Sequence, residues 1–172
     1  MKRLIKNIYM NTIKTVLITG NCGSGKTWVV KELIKEYNIN TKAKYEKIHF
    51  LIKDNIAVLG VYSGETFEGS DKLSMAVAQD FDKFREIQKK HKFNVICEGD
   101  RFTNSKFIQI FNPIIVRITN NGEQGRIKRG SKQTEQHLKR IQTRVLNINP
   151  HYKEETSQQC LELIKKLIYE KN

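Results

Sequence analysis

The chain has 172 residues, of which 38% are hydrophobic: enough for one buried core and short for a motor ATPase. Lys and Arg total 31 against 18 Asp and Glu, and the net charge of +13 favours anionic partners such as nucleotides or nucleic acid. Three widely spaced cysteines, Cys22, Cys97 and Cys160, exclude a disulfide framework or a zinc site, and no apolar run nears the roughly 20 residues that span a bilayer. A soluble protein of a reducing, cytoplasmic compartment is expected, with no membrane partner.

Residues 1–12 are basic, lack the apolar core of a signal peptide and are expected to form a tail. Met10 is a second candidate start. One domain is expected over residues 13–172. Residues 15–19 (Thr-Val-Leu-Ile-Thr) form a β-branched run of the kind that makes a buried parallel strand. From Lys26 the period changes, and Val29, Val30, Leu33 and Ile34 lie at helical spacing.

Two apolar runs over 48–62 flank Asp54 and Asn55, which predicts a β-hairpin. Residues 63–74 read as an exposed polar loop. A helix is expected over 73–90, with Met75, Val77, Ala78, Phe81, Phe84 and Ile87 buried. A strand over 93–97 ends in the polar string Glu98-Gly99-Asp100-Arg101. A short helix over 105–111 is stopped by Pro113, and a strand over 113–118 follows. Residues 120–130 are polar and glycine-containing; a basic helix over 132–145 and, past Pro150, an amphipathic helix over 155–169 complete the chain. Alternating strands and helices imply an α/β, three-layer P-loop NTPase fold. It has a mostly parallel central sheet, an inserted β-hairpin and a basic helical lid.

Gly20, Asn21, Cys22, Gly23, Ser24, Gly25, Lys26 and Thr27 satisfy G-x-x-x-x-G-K-[ST], between strand and helix as that pattern requires. Such a loop turns backbone N–H groups toward phosphates at the positive end of a helix dipole. Lys26 is expected on the β- and γ-phosphates, and the Thr27 hydroxyl on Mg²⁺. ATP and Mg²⁺ are thus the expected donor and ion.

A regulatory GTPase needs an Asn-Lys-x-Asp type motif, and the sequence has none. Carboxylates at a strand end and a late Arg-rich segment look more like a nucleoside or nucleotide kinase. In an open parallel sheet, ligands bind beyond the carboxyl ends of the strands. Glu98 and Asp100 are therefore placed near the phosphates, one as base and one holding Mg²⁺ through water. Asp71 competes as general base, and Arg101 and Lys72 are candidates for substrate phosphate. Arg126 and Arg129 are the candidate lid arginines, with Gly122, Gly125 and Gly130 permitting lid movement. Arg140 and Arg144 share a helix face and read equally as lid or nucleic-acid footprint.

The stretch over 60–75 (Gly-Val-Tyr-Ser-Gly-Glu-Thr-Phe-Glu-Gly-Ser-Asp-Lys-Leu-Ser-Met) and the string Glu98-Gly99-Asp100-Arg101-Phe102 resemble small phage P-loop kinases. That group phosphorylates 5-hydroxymethyluracil already incorporated in DNA, and the resemblance spans residues 15 to about 104. It implies ATP as donor, DNA as acceptor and the infected host's cytoplasm as the place of action. A base acted on in a duplex has to be flipped out, and Phe67, Tyr62 or Phe102 would stack on it. A kinase of a free nucleoside or nucleoside monophosphate, and a non-catalytic nucleic-acid-binding module, remain as alternatives.

Overall fold

The computed structural model describes residues 12–64 and 68–169. The proposed start at Met10, nearly all of the expected tail, and Phe67 lie outside the described residues.

Among the described residues, seven strands form one sheet in the order β2-β3-β4-β5-β1-β6-β7. The central strand β1 (Thr15–Gly20) is fully buried and pairs in parallel with β5 (Asn94–Glu98) and β6 (Ile114–Ile118). β4 (Ile56–Leu59) and β7 (Tyr152–Glu154) extend the parallel set on either side. β3 (Ile48–Lys53) pairs antiparallel with β4 across Asp54-Asn55, as the hairpin reading expected, and Asp54 takes a positive φ of 51°. β2 (Thr41–Tyr45) then pairs antiparallel with β3. Its sequence, Thr-Lys-Ala-Lys-Tyr, shows no apolar run because it is an edge strand, where exposed lysines discourage further pairing.

Both faces of β1 are covered, so its side chains alternate between two cores. Val16 and Ile18 pack with Val29, Val30 and Leu33 of α1 (Lys26–Glu36) and with Cys160, Leu161 and Ile164 of α6 (Ser157–Ile168). Leu17 faces the other way, into an aromatic cluster that includes Phe81 and Phe84 of α2 (Phe81–His91) and Phe107 and Phe111 of α3 (Ser105–Phe111). Two helical layers around a sheet give the expected three-layer α/β fold. Among the described residues, no helix is long and apolar enough to cross a membrane.

Three expectations are corrected. The helix read over 73–90 begins as 3-10 turns at Ser70–Lys72 and Met75–Asp80, and only Phe81–His91 is α-helical. Met75 is 79% exposed rather than buried, because it lies in the 3-10 segment, outside the α-helical period. The polar loop is not wholly exposed: Glu68 and Ser70 are buried, and Val61 bridges Gly69. Finally, the polar, glycine-containing stretch over 120–130 holds a short helix, α4 (Glu123–Lys128), ahead of the expected basic helix, which is α5 (Glu135–Leu146).

Candidate active site

The loop from Gly20 to Thr27 leaves the carboxyl end of β1 at the switch point of the sheet, where the neighbours β5 and β6 belong to opposite halves of the topology. Gly25 sits at the N-cap of α1 with φ +98°, a conformation L side chains rarely adopt, and it offers no side chain to cap the helix. The first turn holds no acidic residue either. The free N–H groups and dipole of the helix therefore face the loop without a protein anion to neutralise them, as an anion site requires. The Lys26 ammonium donates to the carbonyls of Gly20 and Asn21, each at 2.9 Å, and holds the loop closed on itself.

Glu98 ends β5 beside the loop, and the Thr27 hydroxyl donates to its Oε1 at 3.3 Å. The carboxylate is only 3% exposed, and burial pushes its pKa up to about 7. Lys26 and the Thr27 hydroxyl oppose that rise, Asp71 adds to it, and the Ser70 backbone N–H also donates to the carboxylate. Gly69 lies so close that a Cβ there would be 2.1 Å from Glu98 Oε1. Residues 68–73 and the Glu98–Arg101 string thus form one wall. Gly99 packs on Ser70, and Arg101 Nε donates to Leu73 O at 3.3 Å.

This wall, the loop and the α4–α5 region enclose a cleft of about 640 Å³. Lys26, Thr27, Asp71, Glu98, Asp100, Arg101 and Arg129 all line it. The three candidate carboxylates differ in setting. Glu98 is buried against Thr27, Asp71 is exposed and has no ion pair among the described residues, and Asp100 is bound to Arg144 at 2.9 Å. Lys72 is exposed beside Asp71. In the same wall Glu68 pairs with Lys31 at 2.7 Å. Burial alone would raise its pKa, but that pair and the Gly64 N–H hold it below the usual carboxylate value.

Arg126 and the glycines of the expected lid serve differently. The Arg126 guanidinium donates to Cys22 O and Asn121 O, each at 2.8 Å, so it braces the phosphate loop instead of facing the cleft. Cβ atoms on Gly122 and Gly125 would lie 2.0 and 2.1 Å from the carbonyl oxygens of Cys22 and Gly23. These glycines allow backbone to touch backbone; they are packing positions, not free pivots. Ala at 125 gains about 1 kcal/mol of helix propensity over Gly. The clash is with main chain and cannot be relieved by a rotamer change. Gly125→Ala is therefore expected to destabilise the protein by about 1–3 kcal/mol in urea unfolding and to weaken nucleotide binding.

Of the proposed stacking residues, Phe102 is fully buried among Phe81 and Phe107 and presents no face. Tyr62 is half-buried, with its hydroxyl 3.4 Å from Leu59 O. Desolvation first, then Glu98, keeps that phenol protonated well above its ordinary range. The exposed aromatic on the cleft wall is Trp28, the chain's one tryptophan, at 41% exposure. Sequence reading missed it, although an apolar residue directly after Lys26-Thr27 breaks the buried stripe of α1 and was a usable signal. Asn120 was also missed: its amide donates to Ser24 O at 3.2 Å and Glu155 O at 3.3 Å, tying loop to sheet edge.

The residues present fit a triphosphate with its Mg²⁺. Among the described residues no three His, Cys, Asp or Glu side chains cluster as a metal cage. A Mg²⁺ that arrives on phosphates needs only one or two protein oxygens, and Thr27 and Glu98, 3.3 Å apart, are the ones that would hold it.

No family model matches the chain, and no curated protein matches it. Among solved structures, the chain is similar to shikimate kinase from Acinetobacter baumannii in complex with shikimate. The two share 16% sequence identity over 93% of this chain and 95% of that one, with a TM-score of 0.48.

Proposed function

We propose that the chain is a P-loop phosphotransferase that moves the γ-phosphoryl group of ATP to a hydroxyl, the acceptor being the hydroxymethyl of 5-hydroxymethyluracil in DNA. One observation carries the transfer reading. A buried carboxylate, Glu98, meets the Thr27 hydroxyl beside an uncapped helix N-terminus, and the carboxylate of Asp71, with no ion pair among the described residues, lines the same cleft.

In this reading Asp71 takes the proton of the acceptor hydroxyl as its oxygen bonds to the γ-phosphorus. The bond from that phosphorus to the β,γ-bridging oxygen breaks, and ADP leaves. Thr27 and Glu98 would hold Mg²⁺, which when bound supplies positive charge against the developing negative charge of the phosphates. Lys26 moves from its loop carbonyls to the phosphates, and Arg129, exposed on the opposite wall, faces the transferring group. Arg101, held through its Nε on Leu73 O, lines the same cleft and is available to substrate phosphate.

Support for the DNA acceptor comes from the sequence resemblance and from charge. The described parts of the two resembling strings touch through Gly69–Glu98 and Ser70–Gly99, and a +13 chain exceeds what one small phosphate needs. The place of action is then the cytoplasm of an infected cell. A free nucleoside or nucleotide acceptor is the second reading, because about 640 Å³ lies within the size range of small-molecule sites. Labelled ATP offered with 5-hydroxymethyluracil-containing DNA, with the free nucleoside and with its monophosphate separates them. Label is expected on the DNA; label on the small acceptors alone would remove the DNA reading, and no turnover with any acceptor would leave a binding module.

A further inference from the structure

Residues 120–150 carry seven basic side chains against two acidic ones, Glu123 and Glu135. Part of that charge lines the cleft, through Lys128 and Arg129. The rest runs along the outward face of α5. There Gln136, Lys139, Arg140, Thr143, Arg144 and Asn147 line a second, open groove of about 520 Å³. These residues recur three and four apart and so share one face. The other face sends Ile141 and Val145 into the core.

Two cations on this face have partners: Lys139 pairs with exposed Glu135 at 2.8 Å, and Arg144 with Asp100. Arg140, like Lys128, Arg129 and Lys132 before it, has no acidic partner among the described residues. Exposed pairs are worth little and exchange readily for another anion. The groove contains no apolar, aromatic or acidic lining residue, which disfavours a protein interface and its apolar core. Amide and hydroxyl donors between cations are what a phosphate backbone uses. From 136 to 147 the helix rises about 16 Å, the axial length of about five nucleotides of one DNA strand. Gln133, just before α5, and His137 and Ile141 on it line the cleft, so groove and cleft border the same helix.

We infer that the outward face of α5 is a docking track for the phosphate backbone of DNA, holding a strand while one nucleotide reaches the cleft. The inference rests on the DNA-acceptor reading, and its test separates the two. Binding of a 5-hydroxymethyluracil oligonucleotide to the full chain is followed by fluorescence anisotropy between about 50 and 200 mM salt. Lys139→Gln combined with Arg140→Gln is expected to weaken binding roughly 10–100-fold at about 100 mM salt and to lower the salt slope by nearly two. Glu135→Gln is expected to tighten it. ATP binding, read from Trp28 fluorescence, stays unchanged in both variants. An unchanged salt slope in the double variant overturns the track, as does equal affinity for polyglutamate, which assigns the face to an acidic protein. If wild type binds DNA through α5 but transfers no phosphate to it, the track stands and the acceptor reading falls. If the double variant phosphorylates DNA with wild-type kcat/KM across the salt range, the track falls and the acceptor reading stands.

Discussion

Glu98→Gln is expected to give a protein that is more stable than wild type above pH 7 and inactive in transfer. Burial lifts the Glu98 pKa from an unfolded value near 4.5 to about 7, so the native state holds this proton more tightly than the unfolded chain. Folding stability is therefore free of this cost below about pH 4.5. It falls as pH rises toward 7 and stays lowered above that. The full difference is on the order of 3 kcal/mol, using about 1.4 kcal/mol per pKa unit. A neutral isostere avoids it. Urea unfolding at pH 8 is expected to show a gain of about 1–3 kcal/mol that vanishes near pH 4.5.

The same group gives wild-type kcat/KM a rise with pH centred near 7, since the free enzyme must ionise it. The variant loses that limb along with roughly 10²- to 10⁴-fold in rate. A variant less stable than wild type at pH 8 would show that the carboxylate is satisfied by its neighbours, and burial would then carry no net cost.

Lys26→Ala is the second large effect, with a loss of about 10²- to 10³-fold in kcat on removal of a preorganised cation from the transferring phosphoryl. The fold is expected to survive, because among the described residues the ammonium bonds to Gly20 O and Asn21 O of its own loop. Titration of Trp28 fluorescence with ATP reports binding independently of turnover. Lys26 also lowers the Glu98 pKa, so its removal shifts the activity limb to higher pH. The two substitutions are accordingly non-additive. Transfer that persists in Lys26→Ala would remove the P-loop from the chemistry altogether.

The donor side was legible because it is local. Residues 20–27 are contiguous, and their strand and helix are announced by a change of hydrophobic period. The elements that escaped are those whose reason is tertiary. β2 is polar because it is an edge, and β7 is a three-residue strand held by pairing with β6. α4 is short, with no buried residue to betray it, and packs through glycines. Carboxylate roles were illegible for a similar reason. Glu98, Asp100 and Asp71 are the same chemistry on paper, and only burial against Thr27, the pair with Arg144 and open exposure separate them. Phe102 shows the converse: an aromatic beside a polar string reads as a platform until the core claims it.

The backbone contact of Gly122 and Gly125 with Cys22 and Gly23 has a mechanical consequence. α4 and the phosphate loop translate as one piece, since neither can slide without driving a carbonyl into a Cα. A segment that closes over bound phosphates must therefore pivot downstream of α4. Gly130, at φ +59° with open space around it, begins the stretch before α5 where the chain has that freedom. That stretch leads directly into α5, the helix that carries the outward basic face, so a polyanion on that face and a nucleotide in the cleft would load the two ends of one short connection.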